Sequence, residues 1–449
     1  MLYERIFLPF FRHASRRAMN FDAGAVQPPV PPPGGNAFLY VHVPFCVVLC
    51  PFCSFHRVAY RDGKAARYFA ALRREILAYR DAGFRFTGVY VGGGTPTSAA
   101  GELAETLALI RESFPVREVS IETNPSDLTE PVLDRLVAAG VDRVSVGVQS
   151  FDDELLKEME RYEKYGSRAQ ILERLECARG RFTTLNVDMI FNLPHQTPEI
   201  LEADLDTVLG SAANQVSFYP LMTTDSVRRK MTARMGRLDR RRVHDYYFRI
   251  LDRLRGEFTP SSAWCFSRGT GSGVDEYIAD NGDYVGVGSG AFSYVNGVMY
   301  STTFSLNAYH DLISQGRPAI TRSRRLATHE RHRYEMLLKL LGLRMDRQWM
   351  RERFGPGAEL SLLPELTALR LAGAVRKDER GYALTERGMY LWVLQMTAFF
   401  ESVNVFREKM RANISAELEQ DDDVEDATVA LERVTRWVDR GKEHSLFLR

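Results

Sequence analysis

Residues 40–55, YVHVPFCVVLCPFCSF, decide how this chain is read. They hold Cys46, Cys50 and Cys53, three of the five cysteines in 449 residues, spaced C-x3-C-x2-C directly after the alternating apolar run 38–43. Thiolates are soft ligands and the usual protein ligands of iron–sulfur clusters. Three of them crowded onto a loop leaving a strand can hold three irons of a [4Fe-4S] cluster, with the fourth iron left open to substrate or cofactor. Free cysteines are often buried as small hydrophobes, but three in one loop fit that reading poorly. A four-thiolate zinc site would have to recruit the isolated Cys177 or Cys265.

Composition narrows the class. Hydrophobic residues make up 45% and charged residues 26%, as in a globular protein. A net charge of +1 supplies no basic field for nucleic acid. No uninterrupted apolar run approaches the roughly 18 to 20 residues of a membrane span. An odd cysteine count with three clustered argues against a disulfide framework, and an open cluster would need the reducing cytoplasm. Residues 2–11 are rich in large apolar side chains and precede Arg12, Arg16 and Arg17. They read as a helix packed on the catalytic domain, or alternatively as a surface-binding amphipathic helix or transit peptide, so membrane contact stays open. Residues 28–35, PVPPPGG with a leading proline, read as a stiff linker.

From Phe38 the pattern alternates β and α. Strands are expected at 38–43, 87–92, 117–123, 142–148, 183–190 and 214–219, with helices at 65–82, 99–113, 129–139, 167–179 and 197–211. Thr197-Pro198 has the N-cap then N1-proline signature. Six such units predict a parallel sheet closed into a partial barrel, with chemistry on loops at the strand C-terminal ends. Residues 236–256 read as a further helix. Residues 360–388 read as helices followed by a hairpin around residues 378–381, a winged-helix-like pattern, and residues 390–406 as an aromatic helix. The acidic run 417–426 reads as a solvated tail. The expected division is 1–36 as N-terminal segment and linker, 37–320 as catalytic domain, 321–410 as helical domain and 411–449 as tail.

The cysteine triad resembles the signature of the radical SAM superfamily. The leading residues 40–46, YVHVPFC, are similar to the branch containing oxygen-independent coproporphyrinogen III oxidase, the HemN-like family. The resemblance covers residues from about 38 to about 400. It implies an α/β fold, a partial (βα)6 barrel with a smaller C-terminal winged-helix-like domain, and a [4Fe-4S] cluster on Cys46, Cys50 and Cys53. It also implies that S-adenosylmethionine (SAM) is cleaved by an electron from that cluster to a 5′-deoxyadenosyl radical. A one-electron reductant such as flavodoxin or ferredoxin follows from the same resemblance.

The family assigns roles to the strand-end motifs. Gly92, Gly93, Gly94 and Thr95, in GGGTPT, match the loop whose backbone contacts the SAM amino group. Glu122 suits the ribose hydroxyls or the methionyl ammonium, and Gln149 ends the fourth strand. Arg161 matches the arginine facing the SAM carboxylate, which its fork binds bidentately. Asp188 matches the ribose-binding aspartate. The following NLPHQT is similar to G-L-P-x-Q-T, with Asn192 in place of glycine. Tyr219 and Pro220 match backbone contacts to adenine. Phe292 lies in GVGSGAFS, which resembles a segment that closes over the adenosine. Tyr40 and His42 would frame the cluster and a second SAM. Cys265 reads as a buried structural cysteine, or else a redox thiol near substrate.

Genuine coproporphyrinogen III oxidases resemble C-x3-C-x2-C-x-C, whereas here Phe55 stands where the fourth cysteine would. Residues 286–320 and 390–404 are similar to the haem-utilisation methyltransferases of the family. The haem chaperones' H-N-x-x-Y-W is replaced by residues 280–285, DNGDYV. The expectation is therefore a C-methyltransferase using two SAM molecules on a tetrapyrrole or similar flat aromatic substrate. Coproporphyrinogen decarboxylation and non-enzymatic haem carriage are the alternatives.

Overall fold

The computed structural model describes residues 12–13, 15–23, 26–269 and 282–422. The apolar run 2–11, the first two residues of the 280–285 segment and residues 423–426 of the acidic run lie outside them.

Six parallel strands carry the molecule: β1 (Asn36–Val43), β2 (Arg85–Gly93), β3 (Glu118–Thr123), β4 (Arg143–Gln149), β5 (Thr184–Phe191) and β6 (Gln215–Pro220). They pair in sequence order, each with the next. The main connecting helices are α1 (Asp62–Asp81), α2 (Ala100–Ser113), α3 (Glu130–Ala138), α4 (Arg168–Cys177) and α5 (Pro198–Gly210). This is the partial (βα)6 barrel expected from the alternation, with strand bounds within two residues of those read from the pattern. Because successive strand side chains alternate faces, Val89, Val91, Val119, Ile121, Val144, Val146, Val187 and Met189 form a fully buried apolar set. They share one core with the buried helix faces, such as Phe69, Leu72 and Ile76 of α1. The opposite set, including Tyr90, Glu122, Ser145, Asn186 and Asp188, bonds across strands inside the barrel. Thr197 caps α5 by accepting from the Ile200 N–H, with Pro198 at the first helical position.

The sheet runs further than the six-unit pattern predicts, to thirteen strands among the described residues, the outermost being Asp22–Ala23, which pairs antiparallel with Ile320–Arg325. Tyr284–Val287 adds in parallel beside β1, followed by the antiparallel strands Phe292–Val295, Val298–Thr302 and Ile320–Arg325. Cys265–Ser267 and Thr259–Pro260 extend the β6 edge antiparallel. These strands are short and broken by glycines, so no alternation long enough to read precedes them. The helix expected at 236–256 occupies Arg242–Leu254, after a separate helix, Asp225–Met235. The helix Asp225–Met235 was not expected; its apolar stripe is only three residues, Val227, Met231 and Met235.

Beyond the sheet, helices Thr328–Leu341, Arg347–Phe354 and Leu363–Leu371 pack with a three-stranded sheet of Arg344–Asp346, Gly381–Leu384 and Val375–Lys377. The expected hairpin is present, its turn tied by Asp378 accepting from the Arg380 and Gly381 N–H groups at 3.0 Å each. The aromatic helix then runs 27 residues, Glu386–Ala412, capped by Thr385. Among the described residues no helix is long and apolar enough to cross a membrane.

Candidate functional site

The cysteine loop leaves β1 and is pinned at its base. Phe45–Cys46 pairs in parallel with Val58–Ala59, and the Tyr60 N–H returns to the Cys46 carbonyl at 2.9 Å. Arg57 donates to the Cys50 and Cys53 carbonyls. All three cysteines line one cavity of about 340 Å³ at the C-terminal ends of the strands. Their sulfurs face donors: Thr95 Oγ1 lies 3.6 Å from Cys46 Sγ, and an Arg161 terminal nitrogen 3.5 Å from Cys50 Sγ. Burial pushes the Cys46 thiol up to about 12.

The glycine loop after β2 is moulded against its neighbours. Gly94 leaves no room for a Cβ beside the Phe45 carbonyl, and Gly92 none beside the Glu122 carboxylate. Glu122 is held by Tyr90 Oη at 2.9 Å and by the Gly93 N–H at 2.9 Å. Asn124, two residues on, donates to Thr95 Oγ1 at 2.7 Å and accepts from Arg161 at 3.0 Å. The sequence reading missed Asn124, although it sits in the same IETNP motif.

Arg161 reaches the cavity through a helix stop. The helix Asp153–Glu158 ends with Glu160 at φ 56°, and the Arg161 N–H reaches back to the Leu156 carbonyl at 2.8 Å. The guanidinium, 3% exposed, also donates to the Gly147 carbonyl and lies over the Tyr165 ring. Its Nε is buried with no partner among the described residues. Gln149 lines the same wall at φ 78°, beside the β4–β5 irregularity. Non-glycine residues in that region are uncommon and concentrate at ligand sites. Asp188 is held by Ser145 at 2.9 Å and Asn186 at 2.8 Å. Tyr219 packs edge-on against Trp264 at 5.1 Å, and Tyr219 and Pro220 both line the cavity.

The facing wall is aromatic. Phe399, Phe400, Val403, Asn404 and Arg407 of Glu386–Ala412 project into the cavity from one helix face. Phe292 joins them, and the Arg407 guanidinium lies between the rings of Phe55 at 4.8 Å and Phe292 at 5.7 Å. Arg57 and Arg407 as cavity groups were also missed. The signal for Arg407 was present, since 400, 403 and 407 fall at helical spacing behind the aromatic run.

Two expectations are corrected by position. His42 is fully buried and does not line the cavity, because it packs beneath Gly93. Its Nε2 donates to the His56 carbonyl at 3.0 Å, so its Nδ1 accepts from Tyr40 Oη at 2.8 Å. Burial lowers it to about 3, so it is a neutral strut that orients Tyr40, which does line the cavity. The second glycine loop does not close over the cavity except at Phe292. Gly288 and Gly290 instead pack against the His42 carbonyl, Tyr68 and His56, where a Cβ would collide. Cys265 is fully buried and pairs opposite Ser217 in the sheet, as the structural reading of this cysteine expects.

The residues present fit a cluster with a bound adenosyl amino acid. Among the described residues no group of three or more His, Cys, Asp or Glu is gathered tightly enough for one metal ion. The orphaned Arg161 Nε and the glycine cradle beside Glu122 suit a carboxylate and an ammonium.

The family model described as the radical SAM superfamily matches residues 40–208. The haem chaperone HemW of Bacillus subtilis is 27% identical over 369 residues, covering 78% of this chain and 96% of that protein. The haem chaperone HemW of Mycobacterium tuberculosis is 31% identical over 342 residues, covering 72% and 86% respectively. The solved coproporphyrinogen III oxidase HemN of Escherichia coli, described as a radical SAM enzyme, superposes with a TM-score of 0.67 at 25% identity. That superposition covers 86% of this chain and 92% of the other.

Proposed function

The chain belongs to the HemN-like radical SAM family, and on that premise we propose that it methylates a carbon of a tetrapyrrole, haem or a close relative. One observation carries the reading: the cysteine loop and the aromatic helix share one cavity, and Phe55, where the oxidases have a fourth cysteine, faces Arg407 at its edge. The faces of Phe292, Phe399, Phe400 and Trp264 suit a wide planar ring system. Arg57 and Arg407 place positive charge where acidic substituents of such a ring would lie.

A [4Fe-4S] cluster with SAM would supply the one-electron cleavage that generates a 5′-deoxyadenosyl radical. Cys46, Cys50 and Cys53 would hold the cluster. Arg161 would take the methionyl carboxylate on its buried fork, with Asn124 and the Gly147 carbonyl fixing the guanidinium plane. Glu122 and the glycine loop would take the ammonium, Asp188 the ribose, and the backbone at Tyr219 and Pro220 the adenine. Tyr40, oriented by His42, and Phe292 border the space left for substrate. A flavodoxin- or ferredoxin-type donor would reduce the cluster in a reducing cytoplasm.

The alignment of haem chaperones over most of the chain favours a second reading, haem carriage. The test is anaerobic reconstitution with reductant, SAM and haem, following 5′-deoxyadenosine, S-adenosylhomocysteine and haem mass. Methylation predicts both nucleosides with a modified tetrapyrrole, all abolished in Cys46→Ala. Haem bound tightly and unchanged in both proteins, without either nucleoside, would favour carriage. The deoxyadenosine alone, stimulated by coproporphyrinogen, would favour oxidative decarboxylation.

A further inference from the structure

Residues 55–57 follow the last cysteine of the loop, and three parts of the site meet on them. Toward the loop, Arg57 donates to the Cys50 and Cys53 carbonyls. Toward the strands, the His56 carbonyl accepts from His42 Nε2, and His42 in turn orients Tyr40 at the cavity wall. Toward the long helix Glu386–Ala412, one terminal nitrogen of Arg411 donates both to His56 Nδ1 at 3.0 Å and to the Arg57 carbonyl at 2.8 Å. Arg407, one turn earlier, lies over the Phe55 ring at 4.8 Å.

The His56 ring is fixed as the acceptor for that bond. The Ser289 hydroxyl has one proton and donates it to the Thr303 carbonyl at 3.0 Å, so it accepts from His56 Nε2 at 3.2 Å. The ring proton is therefore on Nε2, and Nδ1 offers its lone pair to Arg411. The ring is fully buried, stacked on His42 at 5.8 Å and edge-on to Phe304 at 5.0 Å. The Gly290 backbone approaches it too closely to admit a Cβ. Both Arg411 bonds have a charged donor, which makes them stronger than neutral ones.

Phe399, Phe400, Val403, Asn404 and Arg407 line the main cavity, and Arg411 continues their stripe by one turn without lining it. We propose that Arg411 is a positioning residue that fastens the cysteine loop to the substrate-facing helix, so that a planar ring seated on that helix is sensed at the cluster cysteines. The coupling rests on the tetrapyrrole reading above; the fastening does not. Arg411 acts through Arg57, whose bonds hold the backbone at Cys50 and Cys53. It also acts through His56, whose carbonyl holds His42 beneath the glycine loop. A shift of the helix is passed along these bonds to two of the three cysteines.

Electron paramagnetic resonance of the reduced cluster in the cluster-loaded full chain tests both halves, because the signal reports the geometry at the cysteines and a loss of stability alone does not move it. Without added ligand, Arg411→Gln is expected to shift the signal relative to the wild type, and an unshifted signal would overturn the proposal. Zinc protoporphyrin, a diamagnetic planar tetrapyrrole whose binding is read by its fluorescence, tests the coupling. It is expected to shift the wild-type signal and to leave that of Arg411→Gln in place, while binding to both. An equal shift in both proteins, or no shift in the wild type with porphyrin bound, would overturn the coupling. Porphyrin binding to neither protein would end the tetrapyrrole reading and the coupling with it, and the ligand-free comparison would still decide the fastening. Should Arg411→Gln fail to fold, Arg411→Met, which keeps the apolar stem, is judged by the same outcomes.

Discussion

Arg161 concentrates several requirements in one side chain. It bonds Asn124 and the Gly147 carbonyl, approaches Cys50 Sγ and still presents an unpartnered Nε. A lysine can reproduce the charge but not the planar fork. Each lost charge-assisted bond is worth about 1.5 to 3 kcal/mol. Arg161→Lys should therefore raise KM for SAM roughly 10- to 100-fold, by the usual tenfold per about 1.4 kcal/mol, while haem affinity by absorbance stays unchanged. Equal losses in both affinities would mean that Arg161 merely holds the wall together. At this scale much was legible from the residues. Asn192, which stands where the family motif has glycine, adopts φ 62°, a region that asparagine tolerates better than most residues. His42 was misplaced because period-2 alternation assigns it to the same strand face as Tyr40 but does not report depth. It sits one residue pair nearer the glycine loop, opposite Gly92, where packing covers it.

The elements show where motif reading and packing part company. The pattern GVGSGAFS is visible in sequence, but the job of its glycines depends on what approaches from elsewhere. Here the approach comes from α1: Tyr68 accepts the Ser289 N–H, and Glu75 accepts from the Gly288 N–H at 2.8 Å and Tyr309 Oη at 2.6 Å. Burial raises Glu75 from 4.5 to about 7. The folded chain therefore holds this proton more tightly than the unfolded chain does. The resulting stabilisation is fully present below about pH 4.5 and is lost as pH rises through about 7, a change of about 3 kcal/mol across the window. In urea unfolding of the cluster-free protein, Glu75→Gln should flatten the decline between pH 5 and pH 8 by that order, since the amide keeps an acceptor and carries no charge. An identical pH profile in the variant would remove Glu75 as its source. The long helix is the reverse case. Its aromatic content was plain, and the stripe that faces the cavity follows from 3.6-residue spacing once the barrel's position is known.

At the scale of the molecule, the barrel, its six strands and the cysteine loop follow from alternation and spacing alone. The antiparallel extension and the bonds from Arg411 to His56 and Arg57 do not, because both depend on segments distant in sequence meeting in space. Met19 lines the main cavity, and the Phe21 ring packs tilted against Phe406 at 4.9 Å, so the segment that carries Arg12 and Arg16 also touches the catalytic side. The central claim is that one cavity brings reductive SAM cleavage to bear on a tetrapyrrole carbon. The most direct measurement is anaerobic turnover with haem and SAM carrying a deuterated methyl group, followed by mass spectrometry of the tetrapyrrole. The account predicts deuterium in the tetrapyrrole skeleton, with 5′-deoxyadenosine and S-adenosylhomocysteine formed alongside and none of these in Cys46→Ala. Abundant 5′-deoxyadenosine with no label in any tetrapyrrole would contradict it.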